Sequence, residues 1–201
     1  FFHFEPGETI GYQPLDAGRI NPRGYVDAMS TVACSNGAQI IDDHAVEMIV
    51  RDDNVQVHTA GGQTLSSERV IVATGAYSTF DNLLPILLPL HVRGRTIVMV
   101  PVGDATLSDL NGMPSVGCHP GNGRVRTYWH PPVTYPDGQK YLKIGGGPEG
   151  PQRIANLNEL NEWLRSDGDP EIADAYRAEL HRMMPGLDLS DSITAACVAS
   201  E

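Results

Sequence analysis

The segment VIVATGAY, residues 70–77, is the part of the sequence that decides the fold. It begins with three β-branched residues and continues with alanine, threonine and glycine, whose side chains are small or absent. A short, continuous apolar run of this kind is typical of a buried parallel strand. A glycine at the end of such a strand either forms a sharp turn or lets a ligand approach the backbone closely. The segment therefore predicts a buried strand whose carboxyl end is either a turn or a ligand site.

Size and composition indicate a globular protein. The chain has 201 residues, of which 41% are hydrophobic, and this is enough for one large or two small domains. The sequence contains no run of about 18 apolar residues. Its first residues lack the basic start and long apolar stretch of a signal peptide. We therefore expect no membrane span and a cytoplasmic location.

Charge and cysteine usage exclude several classes of function. The formal net charge is -11 with only 14 lysines and arginines, and phosphate binding needs clustered positive charge, so we expect no nucleic-acid partner. Cys34, Cys118 and Cys197 lie far apart in sequence, which fits neither a disulfide framework nor a zinc site. The histidines show no metal-ligand spacing. We expect no bound metal and a reducing compartment.

The first part of the chain is predicted to contain one helix, a small meander and the strand at residue 70. Asn21 can cap the helix, Pro22 suits its first turn and Gly37 can close its end. Three segments after the helix have alternating or apolar patterns that predict short strands. They are AQIID (38–42), AVEMIVRD (45–52) and NVQVHTAGGQT (54–64). The apolar residues that share one face of the helix are Val26, Met29, Val32 and Ala33.

A second unit is predicted to begin after the proline-rich stretch that starts at Leu83. Strands are predicted at residues 95–100, at RVRTYWH (124–130) and at KYLKIG (140–145). Two helices follow, and the final segment SITAACVASE (192–201) predicts another strand. The apolar faces of the two helices are Leu157, Leu160 and Leu164, and Ile172, Tyr176, Leu180 and Met183.

With these units in order, the chain resembles the FAD-dependent oxidoreductases of the D-amino-acid oxidase type, especially the sarcosine oxidase and glycine oxidase branch. The matching segments follow the family's order and approximate spacing and cover nearly the whole chain. They are AGRINPRGYVDAM, NGAQIIDDHAVEMIV, VIVATGAYSTFDNLLP, LHVRGRTIVM, TYWHPP, YLKIGGG, MMPGLD and AACVAS.

The resemblance implies a fold of the α+β or α/β class with two domains. Residues 1–90 would form a partial FAD-binding, Rossmann-like domain that lacks the N-terminal G-x-G-x-x-G part. Residues 91–192 would form a substrate domain with a mixed or antiparallel sheet flanked by helices. Residues 193–201 would begin a return strand toward a further FAD-binding segment.

The resemblance also implies which residues contact FAD. The backbone of Val46 would meet the adenine ring. Ala73, Thr74, Gly75 and Ala76 would pass close to the dinucleotide, where small residues leave room for the ligand at the carboxyl end of a strand. For the segment at residue 70, the ligand site is therefore the favoured alternative over the turn.

The resemblance places the chemistry on two strands of the second unit. Lys143 would sit over the flavin and promote its reaction with oxygen, because a fixed ammonium stabilises developing negative charge; the alternative is an ordinary lysine of an edge strand. Tyr128 would be the second catalytic residue, with Arg126 and His130 orienting the substrate, unless Tyr128 is simply a core aromatic residue. Strand alternation predicts these three on one face and Trp129 on the other.

The resemblance also bears on three further positions. Cys197 falls where the sarcosine oxidase branch has a cysteine bonded to the flavin, and the alternative is a small buried hydrophobic residue. Gly147 stands where that branch has a histidine after its lysine, which leaves the substrate open. Arg93 matches a family position and is expected to be structural.

The expected function is oxidation of the C–N bond of a small amine or amino acid, with hydride transfer to FAD and reoxidation by oxygen or an electron carrier. One alternative is an FAD dehydrogenase of the 2-hydroxy-acid or glycerol-phosphate type, and another is a noncatalytic remnant or interaction domain. Because the pyrophosphate-binding glycines are missing and GGGPEG (145–150) opens no helix, we expect an internal fragment that alone binds FAD weakly or not at all. Flavin titration of the 201-residue chain tests this expectation.

Overall fold

The computed structural model describes residues 1–13, 18–80, 83–119, 125–147 and 153–201. The chain divides into two compact units. The smaller unit is Ile20–His91 with Ser200, and the larger combines Phe1–Arg19 with Val92–Ala199 and Glu201. The assignment of the FAD-binding and substrate-binding roles to domains with boundaries at residues 90 and 192 stays a prediction.

Helix α1 (Pro22–Ser35) opens the smaller unit, as its capping signals predict. The Asn21 side chain accepts hydrogen bonds from the backbone amides of Arg23 and Gly24, at 3.1 and 3.2 Å. Gly37 follows the helix with a φ of 92°, a backbone conformation that favours glycine after a helix end. No residue of α1 is buried, so its predicted apolar face lies exposed in this unit.

Three strands after α1 form an antiparallel meander in the order β1 (Ala45–Val50), β2 (Val55–Thr59) and β3 (Thr64–Ser67). They confirm two of the three short strand segments predicted after the helix. The third prediction, at residues 38–42, is wrong, because these residues form an irregular connection to β1. Ile40 and Ile41 are exposed there, and the described part of the meander offers them no neighbouring strand.

The strand predicted to begin at Val70 is also absent. The backbone there is irregular, Ile71 is 92% exposed, and a 3-10 helix follows at Gly75–Thr79. A β-branched run becomes a strand only where a neighbouring strand takes up its backbone hydrogen bonds. Among the described residues, the sheet of this unit ends at β3, so the run has no such partner.

In the described part of the chain, the larger unit contains a six-stranded sheet. Five of its strands follow the order β5-β6-β7-β4-β8, and the sixth, β9, pairs with β4. The pairs β4–β7, β4–β8, β5–β6 and β6–β7 are antiparallel, which confirms an α+β fold with antiparallel sheets flanked by helices. No helix in the described ranges is long and apolar enough to cross a membrane. The strands are β4 (Val92–Pro101), β5 (Val116–Cys118), β6 (Arg126–Thr134), β7 (Lys140–Gly147), β8 (Arg153–Ile154) and β9 (Ile193–Ser200), and the helices are α2 (Asp104–Asp109), α3 (Leu157–Leu164) and α4 (Pro170–Met183).

One face of this sheet packs against α4 and forms the core. Alternate residues of β4, β6 and β7 point to this face, and the predicted apolar face of α4 covers them. Each fully buried large side chain stabilises the fold by about 1.5–3 kcal/mol relative to its exposed state. The central residues of the core are Val98, Val100, Trp129, Leu142, Ile144, Tyr176, Leu180 and Met183, all with a relative exposure of 0%.

Both long helices of this unit begin at side-chain caps. Asn156 accepts a hydrogen bond from the backbone amide of Glu159, whose carboxylate accepts one from the amide of Ala155. Asp169 caps α4, and its own amide donates to the buried Thr96 hydroxyl on β4 at 2.9 Å. The last bond attaches the start of α4 to the central strand, and the caps thereby fix where each helix lies.

The N-terminal segment is attached to the end of α4. Arg182 binds Glu179 at 2.8 Å on the helix, and it also contacts Glu5 and Glu8 of the N-terminal segment at 3.5 and 3.7 Å. The His3 amide donates to the Met183 carbonyl at 2.7 Å. Glu179 is only 5% exposed, so its charge depends on Arg182 for compensation.

Substitution Arg182→Gln should lower the free energy of unfolding by about 3 kcal/mol, because it leaves a buried carboxylate without its cation. Urea unfolding of the 201-residue chain, followed by tryptophan fluorescence, measures the change. Arg177→Gln is the matched control on the same helix, since its partner Asp174 is 78% exposed and such pairs contribute less than about 1 kcal/mol. Equal losses in the two variants would contradict the role given to Arg182.

Candidate functional site

The face of β6 and β7 that points away from α4 carries four of the predicted site residues, and we call it the polar face. On β6, Thr127 and Trp129 are buried in the core, so Arg126, Tyr128 and His130 point the other way, as the alternation predicts. Lys143 of β7 is the antiparallel partner of His130. It therefore lies on the same face.

The side chains of the polar face contact one another. The Lys143 Nζ lies 5.6 Å from the centroid of the Tyr128 ring, within the range of a cation–π contact. The Tyr128 and His130 rings have centroids 5.3 Å apart. His130 Nδ1 and the Ser115 hydroxyl form a hydrogen bond of 3.2 Å, and Arg126 Nε donates to His119 Nδ1 at 3.2 Å. The structure therefore brings Lys143, Tyr128 and His130 into one cluster.

Burial and neighbouring charges determine the protonation states in this cluster. Burial raises the pKa of Tyr128, and the nearby Cys197 adds to the rise while the Arg95 charge opposes it. Tyr128 therefore keeps its proton well above neutral pH and can donate a hydrogen bond. Burial lowers the pKa of His130, and the positive charges of Lys143 and Arg19 lower it further. At neutral pH His130 is therefore an uncharged imidazole that can accept a hydrogen bond.

Two glycines of β7 make room for large side chains over the polar face. A Cβ atom on Gly145 would lie 2.6 Å from the Tyr128 hydroxyl, and one on Gly147 would overlap the Arg95 guanidinium. Arg95 thus occupies the space over Gly147. Sequence reasoning missed Arg95, although the β4 alternation that buries Thr96 and Val98 points Arg95 away from the core.

Cys197 and Arg93 complete the predicted residues of this unit. The Cys197 carbonyl accepts a hydrogen bond of 2.7 Å from Trp163, and its side chain is exposed. The alternative of a buried hydrophobic residue is therefore wrong for Cys197, because this position of β9 points away from the packed interior. Arg93 forms an ion pair with Glu201 at 2.9 Å, a contact within the unit that accords with the structural role expected of it.

Most of the predicted cofactor-contacting residues of the smaller unit are exposed. Ala73, Thr74 and Gly75 are exposed, and Val46 is 50% exposed. Gly75 has a φ of 60°, and no heavy atom outside its immediate neighbours lies within 4 Å of where its Cβ would be. Ala76 is half-buried in the 3-10 helix. The open space at Gly75 is the geometry that a closely approaching ligand requires.

The described residues contain no cluster of side chains that could bind a metal ion. Across residues 1–13, 18–80, 83–119, 125–147 and 153–201, no three His, Cys, Asp or Glu side chains converge as metal ligands. In the glycine-rich segment GGGPEG, residues 148–150 lie outside the described residues.

Comparisons with known proteins identify the class. The sequence pattern of the family described as "DAO: FAD dependent oxidoreductase" matches residues 9–199. A search of curated protein sequences found no match to this chain. The chain belongs to the DAO family of FAD-dependent oxidoreductases, a family whose cofactor is FAD.

Solved structures share the fold. The chain is similar to NikD, an amino acid oxidase of nikkomycin biosynthesis, with a TM-score of 0.60 and 19% identity over 88% of this chain and 44% of that one. It is similar to a fructosyl peptide oxidase, with a TM-score of 0.62 and 14% identity over 89% and 44%. For iminodiacetate oxidase from Chelativorans sp. BNC1 the TM-score is 0.50 and the identity 20%, over 91% and 43%. The chain thus spans less than half the length of these structures.

Removing the Lys143 charge should raise the pKa of His130 without restoring its ordinary value of about 6.5, because burial remains. We expect the His130 midpoint to move upward in Lys143→Met when its ring protons are titrated by NMR between pH 4 and 8. Lys140→Met is the control, since Lys140 begins the same strand outside the cluster. A midpoint that is equal in the Lys143→Met variant and the unsubstituted chain would show that the lysine charge does not act on His130.

Proposed function

We propose that this chain takes part in FAD-dependent oxidation of the C–N bond of an amine or amino acid. The observation that supports this reaction is the cluster of Lys143, Tyr128 and His130 on one face of a sheet in a chain of the DAO family. Bound FAD would supply the acceptor for the hydride from the carbon beside nitrogen. The resulting imine is hydrolysed by water, and oxygen or an electron carrier takes up the electrons.

The residues assigned to FAD have an arrangement that fits the cofactor. An exposed backbone with a left-handed glycine and open space at its Cβ position allows a dinucleotide to lie close to the chain. We assign this contact to Ala73, Thr74, Gly75 and Ala76, and the adenine contact to Val46. Cys197 is exposed on β9, and we propose it as the residue near the flavin ring that can form a covalent bond as a thiolate.

We assign substrate orientation to the polar face. Neutral His130 accepts a hydrogen bond from the amine, with Nε2 as the available nitrogen because Nδ1 binds Ser115. Tyr128 keeps its proton and donates a hydrogen bond to a substrate carboxylate. Arg126 adds a positive charge on the same face. Lys143 supplies a fixed cation that stabilises negative charge as an electron passes to oxygen.

The rival reaction is oxidation of a 2-hydroxy acid or a glycerol phosphate. It uses the same cofactor, so the cluster by itself does not favour it. The two reactions differ in their products: an amine oxidase releases peroxide with amino acids, whereas the rival enzyme reduces a dye with a hydroxy acid and forms no peroxide. Assays of the flavin-loaded protein with both classes of substrate, following peroxide and dye reduction in parallel, decide between them.

Lys143→Met should slow the reaction of the reduced protein with oxygen by about 100-fold or more, because one preorganised charge is lost from the site. Anaerobic reduction by the amine should change far less. Stopped-flow absorbance of the flavin-loaded protein measures both rates, with Lys140→Met as the control. Equal slowing of both rates would contradict a specific role in the oxygen reaction.

Gly75→Ala should weaken retention of FAD at least about tenfold, since a methyl group would enter the space assigned to the dinucleotide. Gly138→Ala is the matched control: Gly138 also has a positive φ, of 82°, and open space at its Cβ position, so the backbone strain is comparable. The dissociation constant of FAD, measured by flavin fluorescence, is the readout. The assignment fails if the two substitutions weaken FAD binding equally.

A further inference from the structure

A cavity of about 1030 Å³ lies beside β5, the end strand of the sheet path. The N-terminal segment forms one wall through Phe2, Phe4 and residues 7–13, and residues 113–119 form the other. Pockets of about 300–1,000 Å³ hold organic ligands of drug size. The cavity is therefore far larger than glycine or sarcosine requires.

The cavity reaches the polar face at His130. Ser115 lines the cavity and forms the 3.2 Å hydrogen bond to His130. Pro131, the next residue along β6, lines it as well. Arg19 is a third lining residue, and its charge contributes to the lowered pKa of His130. A substrate whose amine lies at His130 can therefore extend a second group into the cavity.

The lining presents apolar surface that nothing in the described unit covers. Phe4, Ile10 and Tyr12 are 37%, 57% and 73% exposed, and all three line the cavity. Exposed apolar side chains that converge on a concave surface are typical of a ligand site. They favour an apolar or aromatic group over a polar one.

The N-terminal wall is held in place by contacts outside the cavity. The Phe2 ring packs edge-on against the buried Trp129 with centroids 5.6 Å apart. Glu8 of the same wall contacts Arg182 of α4 at 3.7 Å. A wall fixed in this way loses less conformational entropy when a ligand binds.

We propose that this cavity is a substrate subsite for a bulky apolar or aromatic substituent of the amine. The substrate class is then amines and amino acids with a large apolar group on or near the nitrogen, and sarcosine and glycine fill only part of the site. This inference rests on the proposed function, because it takes the polar face to bind the amine. It adds a recognition site that the oxidation chemistry itself does not require.

Gly117 offers a way to fill the subsite. It lines the cavity, its φ lies outside the left-handed region, and a Cβ there would meet only His119 Nε2, at 3.9 Å. Gly117→Leu therefore adds a side chain to the cavity with little strain. Gly186→Leu is the matched control, because a Cβ on Gly186 meets nothing within 4 Å and this residue does not line the cavity.

The test compares N-benzylglycine with sarcosine, which carries a methyl group where the first carries a benzyl group. Binding of each to the 201-residue chain is measured by calorimetry without flavin. We expect N-benzylglycine to bind at least about tenfold more tightly, as burial of a phenyl ring implies. Gly117→Leu and Phe4→Ala should remove most of this advantage and leave sarcosine binding unchanged, whereas Gly186→Leu should preserve it.

Equal affinity for the two amines would overturn the subsite. The subsite would also be overturned if N-benzylglycine still bound more tightly than sarcosine in both Gly117→Leu and Phe4→Ala. A second measurement, reduction of the flavin-loaded protein by each amine, separates this inference from the proposed function. If N-benzylglycine binds in the cavity and neither amine reduces the flavin, the subsite stands and amine oxidation is overturned.

Discussion

The packing of α4 on one face of the antiparallel sheet is the constraint on which the larger unit depends. Side chains alternate between the two faces of a strand. Because Val98, Leu142 and Trp129 pack in the core with α4, the residues next to them on their strands point to the opposite face. Those neighbours are Tyr128, His130 and Lys143. The packing of the core therefore places these three residues on the polar face. A shift of β6 or β7 by one residue would turn the core side chains to the polar face and the site side chains to the core.

The β6–β7 register is locally adjusted where the polar face ends. His130 pairs with Lys143, but the next regular pair is Val133 with Tyr141, so β6 has an extra residue. Pro131 and Pro132 lie in this interval, and proline has no backbone N–H to give to a ladder. The bulge ends the regular alternation directly after His130 and directs the chain toward the cavity, which Pro131 lines. The polar face therefore ends at the point of β6 where the proposed subsite begins.

Many helices and strands of the two units could be predicted from sequence because their signals are local. The cap at Asn21 in the smaller unit and the apolar faces of α3 and α4 in the larger unit depend on residues within a few positions of one another. The prediction of a strand from Val70 was wrong because a strand also needs a partner strand, and no pattern within the segment shows whether one is present. Arg95 and the cavity beside β5 were missed for a related reason. The cavity walls come from residues about a hundred positions apart, and only the folded chain brings them together.

The charge distribution fits the anionic substrate that we propose, although the chain as a whole is acidic. The formal net charge is -11, yet the polar face and its surroundings carry Lys143, Arg126 and Arg95, and Arg19 acts on His130 from the cavity. Arg95 is held by Glu201 at 2.5 Å, and its guanidinium lies over Gly147. Concentrated positive charge favours the approach of a carboxylate. It also disfavours protonation of His130, because a second positive charge would lie close to the first. Burial lowers the pKa of His130, and the charges of Lys143 and Arg19 lower it further, so the imidazole stays neutral at neutral pH. A neutral imidazole can accept a hydrogen bond from the amine that we propose as substrate.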